Sequence, residues 1–284
     1  QPTIQQIQPI LDNSNTLNIQ IGNPTLKQEF RHNLNFQFND FKVLSGRGIW
    51  FSGGFNAVDN AISTSSFITK GVRATQFVNV SGNYNANMWL GYWLQFKKIA
   101  GFRMGINSGL NFSKYNNYID SARNTNNNKS VNFNMNIGYF KENKFDVYLN
   151  PGWSYVNSKS SINTSVITKY WTSESEAGAT VQLSKKLEVN TSGNFYFRQK
   201  TDFFTQNRNS IKWNAYIAQK FWKNNNGEIR FSVFDILDQN IGFSRNAQSN
   251  FIEENTYNTI RRYWLVSFTW NFSSNAIGNT PNQQ

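Results

Sequence analysis

The chain has 284 residues, of which 38% are hydrophobic, 16% aromatic and 15% charged, and its formal net charge is +12. A charged share well below the usual value of about 25%, with Asn, Ser, Thr and Gln as the polar remainder, argues against an ordinary soluble domain and favours a lipid-facing surface around a wet interior. The absence of cysteine excludes disulfides and thiol chemistry, and no run approaches the roughly 18 apolar residues of a membrane helix.

Residues 1–29 show no sustained periodicity, and Asn13, Asn15, Gly22 and Pro24 mark turns in this segment. From residue 30 onward, the alternation of apolar and polar residues predicts eleven strands. We expect these strands at 30–38, 46–62, 73–96, 101–118, 129–140, 144–161, 168–184, 187–199, 210–222, 228–239 and 260–272.

The alternation is clearest between Val131 and Tyr139, where large apolar residues alternate with Asn and Gly. In the last predicted strand, two Trp and two Phe occupy one face of Arg262–Phe272, and mostly small polar residues occupy the other. A soluble protein would rarely expose such an aromatic stripe, whereas a strand of a membrane barrel turns it toward lipid. The pattern therefore predicts an all-β fold, a transmembrane antiparallel up-and-down β-barrel.

The predicted connections alternate in length along the chain. Short turns fall near 39–43, 97–100, 141–143, 184–186 and 223–227, and longer polar loops near 63–72, 119–128, 162–167, 200–209 and 240–259. In bacterial barrels the short turns are periplasmic and the long loops extracellular. This assignment gives an extracellular loop segment at 1–29, a transmembrane barrel portion at 30–272, and a polar periplasmic tail at 273–284.

Eleven is an odd number, whereas single-chain bacterial barrels have an even number of strands. An open sheet would also leave two unpaired edges, which lipid does not tolerate. Either residues 1–29 contain a strand that the alternation does not reveal, or this chain is the C-terminal part of a longer barrel. We expect the second, with the barrel in the bacterial outer membrane and the C-terminus in the periplasm.

Three patches carry a family resemblance. Residues 22–29, GNPTLKQE, are close to the pattern G-N-P-x-L-K-P-E, with Gln28 in place of the usual proline. Residues 234–240, FDILDQN, resemble the penultimate-strand signature F-D-L-L-N-Q-N, and the closing RRYWLVSFTWNF resembles a final barrel strand. In these patches the chain is similar to the TonB-dependent receptor superfamily, in its Bacteroidetes-type outer-membrane β-barrel branch.

The resemblance implies a barrel of twenty-two strands with an N-terminal plug and transport powered through TonB. We therefore expect a transporter that imports an unidentified ligand. Its expected partners are outer-membrane lipid and lipopolysaccharide, TonB through a plug domain not present in this chain, and an accessory lipoprotein or complex subunits. No cofactor and no nucleic-acid partner are expected.

Candidate site residues follow from the predicted loops and rims. Ligand contacts are expected from the extracellular loop residues Phe203, Arg245, Glu253, Glu254 and Tyr257. Aromatic girdles at the membrane interfaces are expected from Trp93, Trp171, Trp222, Trp264, Trp270 and Phe272. Glu174 and Glu176 share one strand face and are expected to line the lumen rather than act as a catalytic pair.

The same sequence bears on three other functional classes. A single histidine, His32, and the lack of cysteine argue against a zinc site or a Ser-His-Asp triad, so we expect no enzyme. A structural or secretion-associated barrel that acts as a scaffold without import is the main alternative. A soluble β protein that binds nucleic acid is suggested by charge and aromatics, although the Lys residues fall in separate predicted turns rather than along one stripe.

Overall fold

The computed structural model describes residues 1–12, 18–162, 164, 167–201, 209–222, 224–247 and 252–272. This part of the chain is almost entirely β-structure, with one short helix, α1 (Ile4–Ile7), and a 3₁₀ turn at Val43–Ser45. The strands are β1 (Leu11–Asp12), β2 (Asn18–Ile21), β3 (Phe30–Lys42), β4 (Arg47–Asp59), β5 (Ala61–Thr69), β6 (Val72–Val80), β7 (Asn83–Gln95), β8 (Phe102–Ile119), β9 (Ala122–Lys141), β10 (Phe145–Asn150), β11 (Gly152–Ser160), β12 (Ile167–Gln182), β13 (Leu187–Arg198), β14 (Ser210–Phe221), β15 (Gly227–Phe234), β16 (Gly242–Ala247), β17 (Ile252–Tyr257) and β18 (Tyr263–Trp270). The predicted all-β fold class is confirmed.

One antiparallel wall runs through the molecule and contains eleven strand positions, as the alternation predicts. The order across the wall is β3, β4, β7, β8, β9, β10 with β11, β12, β13, β14, β15 and β18. β10 and β11 share one position between β9 and β12, because Pro151 has no N–H and interrupts the strand. The Pro151 carbonyl still accepts a hydrogen bond from the Met135 N–H at 2.9 Å, so the pairing continues across the interruption.

Three segments differ from the sequence prediction because they form hairpins. β5 and β6 pair with each other, so the predicted strand 73–96 is wrong in its first part, and only β7 belongs to the wall. β8 and β9 continue to a turn at 120–121, inside the loop predicted at 119–128. β16 and β17 form a separate hairpin within the predicted loop 240–259. These extensions are rich in polar residues, so they lack the apolar stripe by which the wall strands were predicted.

The two faces of the wall differ in chemistry. On one, called here the apolar face, Phe133, Trp153 and Phe268 are 36%, 42% and 59% exposed. On the other, called the polar face, cross-strand neighbours are mostly Asn, Ser, Gly and charged residues. Only four apolar residues are buried among those described, so this part of the chain has no core of the kind that holds a soluble sandwich together.

The wall does not close on itself within the described residues. β3 pairs with β4 alone, and β18 pairs with β15 alone. Both edge strands carry an exposed apolar row, with Phe36 57% and Val266 68% exposed. In the same part of the chain no helix is long and apolar enough to cross a membrane, a finding that does not bear on crossing by strands. The tail predicted at 273–284 lies outside the described residues.

The segment before β3 packs on the hairpin β5–β6. β2 pairs with β6 in parallel, and Asn23 Nδ2 donates to the Phe77 carbonyl at 2.9 Å. Asn79 Oδ1 accepts from the Lys27 N–H at 2.7 Å, and Asn79 Nδ2 donates to the Lys27 carbonyl at 3.0 Å. The GNPTLKQE motif therefore joins the first wall strand to the β5–β6 hairpin at one rim.

Candidate ligand-binding cavity

A ladder of asparagine side chains crosses the polar face. Asn107 Nδ2 donates to Asn136 Oδ1 at 3.1 Å, and Asn136 Nδ2 donates to Asn150 Oδ1 at 3.1 Å. A carboxamide has two donor hydrogens and two acceptor lone pairs, so each group has hydrogen-bonding capacity beyond the ladder. β8, β9 and β10 thereby present a row of fixed, uncharged polar groups.

Acidic and basic side chains lie beside the ladder on β12, β13 and β14. The Tyr148 hydroxyl donates to Glu176 Oε1 at 2.9 Å and fixes that carboxylate. The guanidinium carbon of Arg198 lies 4.0 Å from the ring centroid of Tyr170, a cation–π arrangement. Four charged residues line one cavity here: Glu174, Glu176, Arg198 and Lys212. The cavity therefore offers both carboxylates and cations to a bound molecule.

The β16–β17 hairpin folds over the polar face from the rim opposite the short turns. The rings of Phe243 and Tyr196 meet edge-on with centroids 6.2 Å apart, which joins the hairpin to wall strand β13. Gly242 pairs with Tyr257, and a Cβ at Gly242 would collide with the Tyr257 carbonyl, so this close pairing needs glycine. Phe243, Ser244 and Tyr257 line the cavity from the hairpin side.

The turn between β15 and β16 sets the direction in which the hairpin leaves the wall. Asp235 is only 5% exposed, and its carboxylate accepts from the Gln239 N–H at 3.0 Å and the Asn240 N–H at 2.8 Å. Asp238 Oδ1 accepts from the Arg262 N–H at 3.2 Å, which ties the turn to the residue before β18. The FDILDQN motif is therefore a connector that fixes the base of the hairpin.

The ladder, the charged side chains and the hairpin line an open cavity of about 1150 Å³. A second cavity of about 560 Å³ lies toward the short turns. The two share Trp50, Asn107, Asn136, Asn150 and Glu176, so they adjoin along the polar face. Pockets for small molecules usually measure about 300–1,000 Å³, so the combined space suits a ligand larger than a single metabolite.

Four of the five predicted ligand residues lie on the β16–β17 hairpin. Arg245 pairs with Glu254, and Glu253 precedes Glu254 on β17. Tyr257 lines the larger cavity. Phe203 lies outside the described residues. The structure thus gathers four of these residues on one element over the cavity, while their contact with a ligand stays a prediction.

Five of the six predicted interface aromatics group with the apolar face. Trp222, Trp270 and Phe272 form a cluster near the short turns, with ring centroids 5.9 Å apart for Trp222–Trp270 and 5.6 Å for Trp270–Phe272. Trp264 contacts an aromatic neighbour on β15, and Trp171, toward the opposite rim, contacts one on β11. Their place at a membrane interface stays a prediction.

Trp93 lies on the polar face, contrary to its predicted role in a girdle. Its partners in the register are Gly48 and Gly105, and a Cβ at Gly48 would collide with the Trp93 indole. Trp93 also lines the smaller cavity. Its position next to a short turn suggested a membrane interface. However, side chains alternate between the two faces along β7, and this alternation places Trp93 on the polar face.

Trp50 and Trp89 are cavity residues that the sequence analysis missed. Trp50 lines both cavities, and Trp89 lines the larger one. Each is paired across strands with a glycine, a signal that becomes visible only when the register is known.

A single antiparallel wall with an exposed apolar face and a polar face that carries the cavities defines a membrane β-barrel protein. The chain belongs to the outer membrane protein beta-barrel family, whose family model matches residues 1–270. Neither a curated protein nor a solved structure matches the chain. The protein is therefore an outer-membrane barrel protein. The alternation of the wall strands predicts that the apolar face contacts lipid and the polar face lines the lumen.

Proposed function

We propose that this chain is the C-terminal portion of a TonB-dependent receptor-like transporter that imports a ligand across the outer membrane. The observation that carries the proposal is the cavity of about 1150 Å³ on the luminal face, covered by the inward-folded β16–β17 hairpin. A concave site with carboxylates, cations and aromatic rings suits the capture of a solute. The hairpin reaches this site from the rim that we assign to the cell exterior.

The open edges support a wall that is part of a larger barrel. Unpaired backbone groups on β3 and β18 are costly in lipid, and further strands that pair with both edges would remove that cost. The three motif patches resemble a receptor family with twenty-two strands. In that arrangement the short turns and the C-terminus lie in the periplasm, and the plug and the TonB-contacting segment belong to another part of the protein.

The energy source is tested by comparing three strains on a panel of defined carbon and iron sources. One strain lacks the gene, one lacks functional TonB, and one carries the gene restored with the β16–β17 hairpin removed. We expect the first two to share a growth defect on at least one source, because import needs both the barrel and TonB. The hairpin deletion should assemble in the outer membrane and fail to restore growth.

A scaffold barrel without import predicts a different result. Loss of the gene would then change the recovery of partner proteins from the outer membrane and leave growth on every source equal to that of the parent. A nutrient profile that changes in the TonB strain but not in the gene deletion would contradict the import proposal.

A further inference from the structure

Three tryptophan side chains on the luminal face each lie over a glycine of the neighbouring strand. A Cβ at Gly91 would collide with the indole of Trp50, and a Cβ at Gly109 would collide with the indole of Trp89. Trp93 has the same relation to Gly48, as described above. Since only glycine leaves room for this placement, the indoles rest on the backbone and their remaining surface borders the cavities.

The three indoles form a row across the wall. Gly91, which lies under Trp50, is two residues from both Trp89 and Trp93 on the same face of β7. Successive same-face residues are about 6.6–6.8 Å apart along a strand, and adjacent strands are about 4.8 Å apart. The rings of Trp93, Trp50 and Trp89 therefore cover β4, β7 and β8 in turn. Each diagonal step is about 8 Å, so the row is about 16 Å long, the length of a short chain of sugar rings.

Hydrogen-bonding groups accompany this row along its length. Asn107 and Asn136 border both cavities and are held by the ladder, so their amide directions are fixed. Glu176 also borders both cavities and is positioned by the Tyr148 hydroxyl. An amide or a carboxylate can bond two adjacent hydroxyls, while an indole face packs against the C–H face of a sugar ring.

We infer that the luminal face binds a linear oligosaccharide, with Trp93, Trp50 and Trp89 as a stacking row and the asparagine ladder as the group that bonds its hydroxyls. The inference names the substrate class of the cavity and rests on the proposed import function. A single flat aromatic ligand would stack on one indole, whereas three indoles spaced across three strands fit a chain of repeated sugar rings. The uncharged ladder beside the row fits neutral hydroxyls.

Binding is tested by isothermal titration of the purified full-length protein with maltohexaose, cellohexaose and mannohexaose. A detergent without a sugar head group is required, because glucosides and maltosides would compete for the same platforms. We expect at least one hexaose to bind. Trp50→Ala should weaken its affinity by about tenfold, since an aromatic contact is lost, and Trp50→Phe should weaken it less.

Trp171→Ala is the matched control, because it removes an indole from the apolar face. Its affinity for the hexaose should equal that of the unchanged protein. Each variant is first checked for the folded, heat-modifiable migration of a barrel on SDS gels. If Trp50→Ala does not fold, Trp89→Ala and Asn107→Ala provide the same test.

Two results would overturn the inference: no binding of any of the three hexaoses, or binding that none of the luminal substitutions weakens. Binding to the purified protein does not depend on TonB, so its outcome is separate from that of the growth experiment. If a hexaose binds but growth does not depend on TonB, the import proposal is contradicted and the oligosaccharide site is not. If growth depends on TonB but no hexaose binds, the oligosaccharide site is contradicted and the import proposal is not.

Discussion

The ring of Phe243 meets the ring of Tyr196 edge-on, with centroids 6.2 Å apart. The first residue lies on the β16–β17 hairpin and the second on the polar face of β13, so this contact joins the covering element to the wall. Both rings line the larger cavity. The hairpin therefore borders the site with a side chain that also holds it in place.

Phe243→Ala is expected to loosen the hairpin without unfolding the wall. An edge-on aromatic pair contributes about 0.5–1.5 kcal/mol beyond burial, so amide exchange in β16 and β17 should become several times faster. Exchange in β12 and β13 should not change. Phe243→Tyr keeps the ring and serves as the control, and equal exchange in the alanine variant and the unchanged protein would contradict the contact.

Asp235→Ala is expected to destabilise the base of the hairpin. The nearly buried carboxylate accepts from two backbone N–H groups, at 3.0 and 2.8 Å, and alanine leaves both without that acceptor. The free energy of unfolding in micelles should fall by about 2–3 kcal/mol. Asp235→Asn keeps one carbonyl acceptor and should lose less. Equal losses in the two variants would argue against this role of the carboxylate.

Asn116 supports the rim where β5, β7, β8 and β9 meet. It is 0% exposed, its Nδ2 donates to the Ser81 carbonyl at 2.9 Å, and its Oδ1 accepts from Thr125 Oγ1 at 2.7 Å. Asn116→Ala should lower the free energy of unfolding by about 2–3 kcal/mol, because buried partners lose their bonds. The exposed Asn111 provides the control, and Asn111→Ala should cost under about 1 kcal/mol.

Glu29 makes the stability of the rim where it contacts Ile62 dependent on pH. Burial alone would raise the pKa of Glu29, but the Ile62 N–H, 2.7 Å from Oε1, and the Arg31 guanidinium, 2.7 Å from Oε2, outweigh it. The pKa therefore lies below its ordinary value of 4.5. Because the pKa of Glu29 is lower in the folded than in the unfolded state, the stabilisation from its ionised carboxylate is complete above the unfolded-state pKa. That stabilisation is lost as the pH falls through the folded-state pKa.

We expect the Ile62 amide to lose protection against hydrogen exchange between about pH 6 and about pH 3, after correction for the intrinsic exchange rate. Glu29→Gln keeps an oxygen acceptor but removes the charge, so its protection should be lower at pH 6 and nearly constant over this range. Protection that falls equally in both proteins would assign the effect to another group.

The wall strands were predictable because an apolar and a polar face on one sheet impose a period of two on the sequence. Val131–Tyr139 shows this alternation, and β9 indeed contains it. The hairpin β5–β6 was not predictable in the same way, because its strands pair with each other, with β2 of the N-terminal segment and with the end of β8 rather than within the wall. Polar strands beyond the apolar band carry no stripe that would distinguish them from loops.

The candidate site was only partly predictable. The loop position of Tyr257 indicated a residue available to a ligand, and the structure places it at the cavity. The face of Trp93 could not be predicted from its distance to a turn, because the register with Gly48 and Gly105 decides it. For the same reason the role of Trp50 becomes visible only when β4 is paired with β7.

Single cysteines can show whether one face of the wall contacts lipid and the other contacts water. The chain has no cysteine, so Phe133→Cys, Asn134→Cys, Met135→Cys and Asn136→Cys each carry one thiol. A small charged methanethiosulfonate reagent is applied to outer membranes, and labelling is compared with that after denaturation in SDS. We expect the thiols at 134 and 136 to react in membranes and those at 133 and 135 to react only after denaturation. Reaction at 133 and 135 with protection at 134 and 136, or equal reaction at all four positions, would contradict this arrangement of the two faces.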